Sequence, residues 1–200
     1  MNSRCGYCNV PDEFYNLHFN TIKWGDIMIL YVMRHAEAVE ANDTLQDEWR
    51  YLTDKGRASA GKTCAAIAKI GPKPRLTITS PLTRAVQTAE IAAQTACRKN
   101  VVVASELLLP GADTGELVTH LKSCKDSKRV MLVGHEPQLG SLVASLLGRE
   151  DGSISLKKGA CVTLKFDPDN EDKPAAFLGY LVPGKKRTTS FKKAFPQNAA

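Results

Sequence analysis

The sequence lacks long hydrophobic runs, although 43% of its 200 residues are hydrophobic and 24% are charged. Its longest apolar stretches, 27–33 and 101–103, are far shorter than the roughly 18 residues that a membrane-spanning helix needs. Residues 1–27 carry polar and acidic side chains and lack the apolar core of a secretion signal. The composition is that of an ordinary folded domain and excludes a collagen-like, coiled-coil or wholly disordered chain. We therefore expect a cytoplasmic protein without a membrane partner.

An excess of acidic residues is also missing, because 27 Lys and Arg stand against 21 Asp and Glu, a net charge of +6. The segment 185–200 holds five basic residues and no acidic one, so it carries five of the six net charges. Basic ends of this kind are more often solvated than bound to nucleic acid or to a membrane surface. We expect residues 184–200 to form a disordered tail, and we expect no nucleic-acid partner.

The paired CxxC motifs of a typical zinc site are missing as well. The six cysteines are scattered along the chain, and without a secretion signal we expect them to be reduced. Cys5 and Cys8 form a single CxxC, which is half of a zinc site, and His18 is the nearby candidate for a further ligand. We predict that the protein binds no metal ion and needs no cofactor.

Residues 1–26 have no sustained period of 2 or 3.6 residues, and the regular pattern begins at Asp26 or Ile27. Two interpretations of this segment are open. Either Met28 is the true initiator, or the leader is an arm that packs its aromatic side chains on the domain. We treat residues 1–27 as an N-terminal extension and residues 28–183 as one domain of ordinary size.

From Ile27 onward the predicted strands and helices alternate. The apolar run 27–33 is typical of a strand that is buried on both faces. Further strands are predicted at 76–79, 101–104, 130–133, 161–166 and 176–182, and helices at 53–70, 81–96, 114–124 and 137–147. The last two strands follow each other without a helix, so we expect an antiparallel hairpin near the C-terminus. The predicted fold class is α/β, a three-layer α/β/α architecture with a mainly parallel sheet and helices on both faces.

Charged and polar side chains follow the predicted strands at the ends where ligands bind in parallel sheets. They are Arg34 and His35 after the first strand, Ser80 and Arg84 after the second, Glu106 after the third and His135 after the fourth. The helix that begins at Ser80 and Pro81 adds free backbone N–H groups and the positive end of its dipole. Forked guanidinium groups suit phosphoryl oxygens, and neutral imidazole is a good nucleophile for phosphorus. The pattern predicts a phosphoryl-transfer site, with Ser80 as a further candidate for binding the phosphate.

Three segments, LYVMRHAEA, TSPLTRAVQTAEI and VGHEPQLGSLV, resemble the histidine phosphatase superfamily, also called the phosphoglycerate mutase-like family. The RHAEA variant, the LTDKG segment and the GHEPQLG run are similar in particular to its SixA-type phosphohistidine phosphatases. The resemblance covers about residues 28–182 and implies the phosphoglycerate mutase-like fold. It also implies that His35 is the phosphorylated nucleophile and that Arg34, Arg84 and His135 form the phosphate pocket.

The general acid is the open part of the prediction. Phosphomonoesterases of this superfamily carry an acidic residue after the third strand, and Glu106 occupies roughly that place. The surrounding SELLLPGAD resembles the SixA-type loop, where a dedicated acid is not expected. Imidazole, with a free pKa of about 6.5, leaves phosphorus far more readily than an alkoxide does, so it needs little acid assistance. Asp113 is the second candidate, and capping of the following helix is its more ordinary role.

We expect a phosphatase that acts through a phosphohistidine intermediate and hydrolyses phosphohistidine on a protein. The alternative is a phosphomonoesterase acting on a small phosphate ester, for which the short loop after the third strand leaves little material for a lid. A different class is suggested by Gly56–Thr63, GRASAGKT, which formally matches the P-loop of nucleotide-binding proteins. The residues before it are polar instead of an apolar strand, so a helix is the better interpretation. We expect a monomer or a weak dimer.

Overall fold

The computed structural model describes residues 27–96, 101–124, 127–170 and 173–196. In this part of the chain six strands form one sheet, in the order β3-β2-β4-β1-β5-β6. The strands are β1 (Met28–Arg34), β2 (Leu76–Thr79), β3 (Val101–Ala104), β4 (Arg129–Gly134), β5 (Cys161–Phe166) and β6 (Ala176–Leu181). The sheet is parallel from β3 to β1, whereas β5 pairs antiparallel with both β1 and β6. The predicted fold class and the C-terminal hairpin are therefore confirmed.

The helices cover both faces of this sheet. They are α1 (Asp54–Ile70), α2 (Thr83–Ala96), α3 (Thr114–Ser123), α4 (Gln138–Leu146) and the short α5 (Phe191–Ala194). Alternate residues of β1 enter two separate cores, because successive side chains of a strand point to opposite faces. Leu30 and Val32 pack with α3 and α4, whereas Tyr31 and Met33 pack with α1 and α2. The sheet is thus the middle of three layers.

Two capping residues fix where helices begin beside the sheet edge. Thr53 accepts a hydrogen bond from the N–H of Gly56 at 2.9 Å at the start of α1. Asp113 accepts one from the N–H of Glu116 at 2.8 Å at the start of α3, so Asp113 has the capping role expected of it. The helix α2 begins at Thr83, two residues later than predicted, because Ser80 to Leu82 first form a turn.

The P-loop interpretation of GRASAGKT is wrong, because these residues lie inside α1. Gly56 is buried, and a Cβ added there would collide with the carbonyl oxygen of Glu37. This glycine therefore serves the close approach of the helix to the chain after β1, not a phosphate-binding loop. Lys62, the lysine of the formal match, is exposed on the outer side of α1.

The expectation of a disordered tail over 184–200 is wrong for the part that the structure describes. Thr188 forms an antiparallel bridge with Tyr180, and α5 follows it. Phe195 is only 3% exposed, with its ring 5.0 Å from that of Tyr180. The prediction rested on the basic charge of the segment and did not consider Phe191 and Phe195, which lie four residues apart and share one face of a helical turn. The domain consequently extends beyond residue 183.

The leader, with Cys5, Cys8 and His18, lies outside the described residues. Within the described ranges, the helices include none that is long and apolar enough to cross a membrane. The same ranges contain no group of three or more His, Cys, Asp or Glu side chains placed to hold a metal ion.

Candidate active site

A cavity of about 300 Å³ opens at the carboxyl ends of β1 and β4. Its walls are formed by side chains from five separate stretches of the chain: Arg34, His35, Glu40, Arg50, Arg84, Pro110, His135, Glu136 and Lys158. Four of the residues predicted from the sequence, both arginines and both histidines, therefore meet in one pocket. Parallel pairing of β1 with β4 in a register that places Arg34 opposite Gly134 brings the two strand ends together.

His35 is buried immediately after β1, and its backbone is held on both sides. Its N–H donates to the carbonyl of Gly134 at 3.0 Å, and the N–H of Gly159 donates to its carbonyl at 3.1 Å. Gly159 has φ +72°, a conformation that favours glycine. In the side chain, Nδ1 lies 2.7 Å from the carbonyl oxygen of Ala36. Because a carbonyl only accepts, Nδ1 carries the proton and Nε2 keeps its lone pair.

The pKa of His35 is lowered to about 4, mainly by burial and further by the nearby Arg84, Arg34 and Lys158 charges, while the hydrogen bond to Ala36 opposes them. The pKa of His135 is lowered to about 3, mainly by burial, with His35 and Arg84 acting in the same direction. The two imidazole rings lie 5.0 Å apart. At neutral pH both rings are uncharged, so His35 presents the nucleophilic form of imidazole.

Ser80 lies beside the pocket and orients one of its histidines. Its Oγ is 2.8 Å from Nε2 of His135 and accepts the N–H of Leu82 at 3.3 Å. Ser80 is completely buried and is not part of the pocket wall, so its contact is with the histidine. Since the hydroxyl already accepts from Leu82, it can donate its own proton to His135, which then carries its proton on Nδ1.

The two arginines are held differently. Nη1 of Arg34 donates to the carbonyl of Leu156 at 2.9 Å, and its buried Nε has no hydrogen-bond partner in the described part of the chain. Arg84, 5% exposed, donates from Nη1 to the carbonyl of Asp47 at 2.7 Å and from Nη2 to its carboxylate at 3.0 Å. Guanidinium groups with unused N–H donors suit a phosphoryl group or another tetrahedral anion.

A threonine of α2 links Arg84 to the backbone beside His35. The hydroxyl of Thr88 donates to the carbonyl of Arg84 at 2.7 Å and accepts the N–H of Ala36 at 3.2 Å. The start of α2 is therefore fixed relative to the end of β1 by a buried side chain. Thr88 thereby holds Arg84 and His35, which are far apart in the sequence, close to each other in the pocket.

Glu106 does not line the pocket. It is exposed at the start of a 3₁₀ turn, Glu106–Leu108, after the edge strand β3. The order β3-β2-β4-β1 places that strand end two strands away from β4, and the loop after it contributes Pro110 to the pocket wall instead. The carboxyl groups that line the pocket belong to Glu40 and Glu136.

The prediction gave Glu136 no role, although this residue directly follows His135 in the GHEPQLG run. It is half-buried, and burial raises the pKa of its carboxyl group, against hydrogen bonds from the N–H of Leu156, the side chain of Ser155 and the N–H of Gly140. The prediction also left out Asp47 and Arg50, which lie in the irregular segment between β1 and α1. The adjacency of Glu136 to His135 was an available signal, whereas no periodic pattern marks the other two.

Comparison with known proteins places this site in a family. The sequence profile of the histidine phosphatase superfamily (branch 1) matches residues 30–107. An uncharacterized protein of Picosynechococcus sp. is 32% identical over 142 residues, which cover 69% of this chain and 85% of the relative. The profile match includes Arg34 and His35, at the end of β1.

Solved structures share the fold. SixA from Agrobacterium tumefaciens has a TM-score of 0.67 at 23% identity, covering 78% of this chain and 99% of that chain. The protein histidine phosphatase SixA complexed with tungstate has a TM-score of 0.65 at 23% identity, covering 78% and 97%. The alpha-ribazole phosphatase from Shigella flexneri has a TM-score of 0.59 at 16% identity, covering 79% and 96%. With its two histidines and two arginines in one pocket, the chain belongs to the histidine phosphatase superfamily.

Proposed function

We propose that this protein is a phosphatase that hydrolyses phosphohistidine on a protein, through a phosphorylated His35. The observation that carries the proposal is the state of His35: it is buried and neutral, with Nδ1 bound to the Ala36 carbonyl and Nε2 free to attack. Arg34, Arg84 and His135 surround the same cavity and supply donors for the phosphoryl oxygens.

The proposed reaction has two steps. Nε2 of His35 forms a bond to phosphorus while the P–N bond of the substrate breaks, and the leaving imidazole takes a proton from solvent. Water then attacks phosphorus, the bond to Nε2 breaks, inorganic phosphate leaves and the proton of the water passes to solvent. During both steps Nδ1 keeps its proton and donates it in a hydrogen bond to the carbonyl of Ala36, which stabilises the positive charge of the phosphorylated ring.

A phosphohistidine substrate is favoured because its leaving group needs little help from an acid. Imidazole departs from phosphorus with little acid assistance, whereas an alkoxide needs a proton. Of the two carboxyl groups in the pocket wall, Glu40 is bound by Arg50 at 3.0 Å and Glu136 is held by the backbone N–H groups of Leu156 and Gly140. The fold is shared with SixA, which was solved with tungstate, a tetrahedral oxyanion of the same shape as phosphate.

One observation favours a second candidate, a phosphomonoesterase acting on a small phosphate ester. Glu136 is half-buried in the pocket wall, and its pKa is raised, as expected for a group that has to donate a proton. The alpha-ribazole phosphatase fold is an example of the same architecture in a protein named for a small substrate.

Initial rates on three substrates separate the two candidates: a phosphohistidine peptide, p-nitrophenyl phosphate and a panel of sugar phosphates. We expect the peptide to give the highest kcat/KM, and we expect His35→Ala to lose turnover on all of them. An alkaline quench with labelled substrate should leave phosphate on His35. A sugar phosphate preferred over the peptide would favour the phosphomonoesterase, and full activity of His35→Ala would refute both.

A further inference from the structure

The segment between β1 and α1 holds one of the two pocket arginines through a single acidic residue. Nη1 and Nη2 of Arg84 both donate to Asp47, at 2.7 Å to its main-chain oxygen and at 3.0 Å to Oδ2. Arg34, by comparison, donates from Nη1 to a neutral carbonyl. Arg84 is therefore the guanidinium whose orientation is set by a charged partner.

Asp47 is itself held in place from the surface. Its second carboxylate oxygen accepts from Nη1 of Arg50 at 2.9 Å, and Nη2 of Arg50 binds Glu40 at 3.0 Å. Nε of Arg50 donates to the carbonyl of Val39 at 2.6 Å, so three of its nitrogens are engaged. The Arg50 side chain is only 17% exposed, unlike an ordinary surface ion pair. Four charged groups of alternating sign thus connect the pocket rim to the buried Arg84.

The contacts leave Arg84 able to bind an anion. A guanidinium has five N–H donors in one plane, and Asp47 accepts from one on each terminal nitrogen. Three donors remain, including the Nε N–H, and their directions are fixed once the terminal nitrogens are bound. Because the geometry of a forked donor decides how well it fits a phosphoryl group, fixing the plane of Arg84 fixes the fit.

We propose that Asp47 is a positioning residue for phosphoryl recognition: it orients Arg84, and Arg50 and Glu40 hold Asp47 in turn. This inference rests on the proposed function, in which Arg84 binds the phosphoryl group. If the Asp47 carboxylate instead competes with the phosphoryl group for Arg84, removing this carboxylate should strengthen anion binding.

Affinity for inorganic phosphate, measured by calorimetry and as Ki against p-nitrophenyl phosphate, tests the inference. Asp47→Ala should weaken phosphate binding about tenfold and raise KM for p-nitrophenyl phosphate by a similar factor, with a smaller change in kcat. Glu48→Ala is the matched control, because Glu48 lies in the same 3₁₀ turn, is exposed and carries the same charge. This control should change phosphate affinity less than twofold.

A double-variant cycle shows whether Asp47 acts through Arg84. In an Arg84→Ala background, Asp47→Ala should have no further effect on phosphate affinity, because the residue that it positions is gone. Asp47→Glu should recover part of the lost affinity, and unchanged melting temperatures exclude a general loss of structure.

Tighter phosphate binding in Asp47→Ala would show competition and overturn the inference. An effect no larger than that of Glu48→Ala, or an equal loss in the Arg84→Ala background, would overturn it as well. The proposed function fails separately: if the wild-type protein binds phosphate without hydrolysing any substrate, the calorimetric constants still decide the role of Asp47.

Discussion

Acidification is the perturbation that tests the electrostatics of the pocket most directly. His35 is buried, with a pKa of about 4, against an ordinary value of about 6.5. At pH 5 a histidine with the lower value is about 90% neutral, whereas one with the ordinary value is about 3% neutral. The fraction of nucleophilic imidazole at pH 5 therefore differs about thirtyfold between the two cases.

The same displacement makes the stability of the fold depend on pH. Between pH 6.5 and about 4 the unfolded chain binds a proton at His35 and the folded chain does not, so acidification favours unfolding. The free energy of unfolding is therefore highest, as far as His35 is concerned, above pH 6.5, and it decreases as the pH falls toward 4. At pH 5 the loss amounts to about 2 kcal/mol for His35. His135, with a pKa of about 3, acts in the same direction.

Nuclear magnetic resonance titration of the imidazole signals, assigned with His35→Gln and His135→Gln variants, measures these pKa values without a substrate. Unfolding in urea at pH 7 and at pH 5 measures the stability, and the loss on acidification should shrink in the His35→Gln variant. A pKa of 6 or above for His35, or a stability that does not change between these pH values, would refute the reasoning from burial.

Three further predictions follow from the site and its surroundings. Glu136→Gln should slow hydrolysis of an alkyl phosphate by about 10²-fold but hydrolysis of phosphohistidine only a few-fold. Glu106→Gln should change neither rate, because Glu106 does not line the pocket. An equal loss on both substrates in Glu136→Gln would instead assign Glu136 a structural role. Phe195→Ala should lower the free energy of unfolding by about 3 kcal/mol in urea denaturation, and an unchanged midpoint would contradict the packing of the tail. Exhaustive chelation should leave turnover unchanged, because the arginines supply the positive charge, and a strict requirement for a divalent cation would contradict this.

The fold and the central residues of the site were predictable because their signals are local. The apolar run of β1 marks a strand buried on both faces, and Arg34 and His35 are the next residues of the chain. Ligand sites in parallel sheets lie at strand ends, so the candidate residues at the end of each strand can be identified without knowing the order of the strands. His135 follows β4 in the same way, and β4 is the direct neighbour of β1.

The position of Glu106 outside the pocket wall depends on information that the order of elements along the chain does not contain. Glu106 follows a strand just as His135 does, and in sequence the two are equivalent. The sheet order makes them different, because β3 lies at the edge and β4 next to β1. Strand order is a property of the whole fold and not of any single segment.

Asp47 was unpredictable for a further physical reason. It lies in an irregular segment, where neither the helical nor the strand period fixes the direction of a side chain. Its contact with Arg84 joins residues 37 positions apart and depends on Arg50 and Glu40, which belong to the same segment. Buried charges are usually paired, so a carboxylate is the expected partner of Arg84 once its burial is known. Which carboxylate it is depends on how the segment folds over the pocket, and in this fold it is the carboxylate of Asp47.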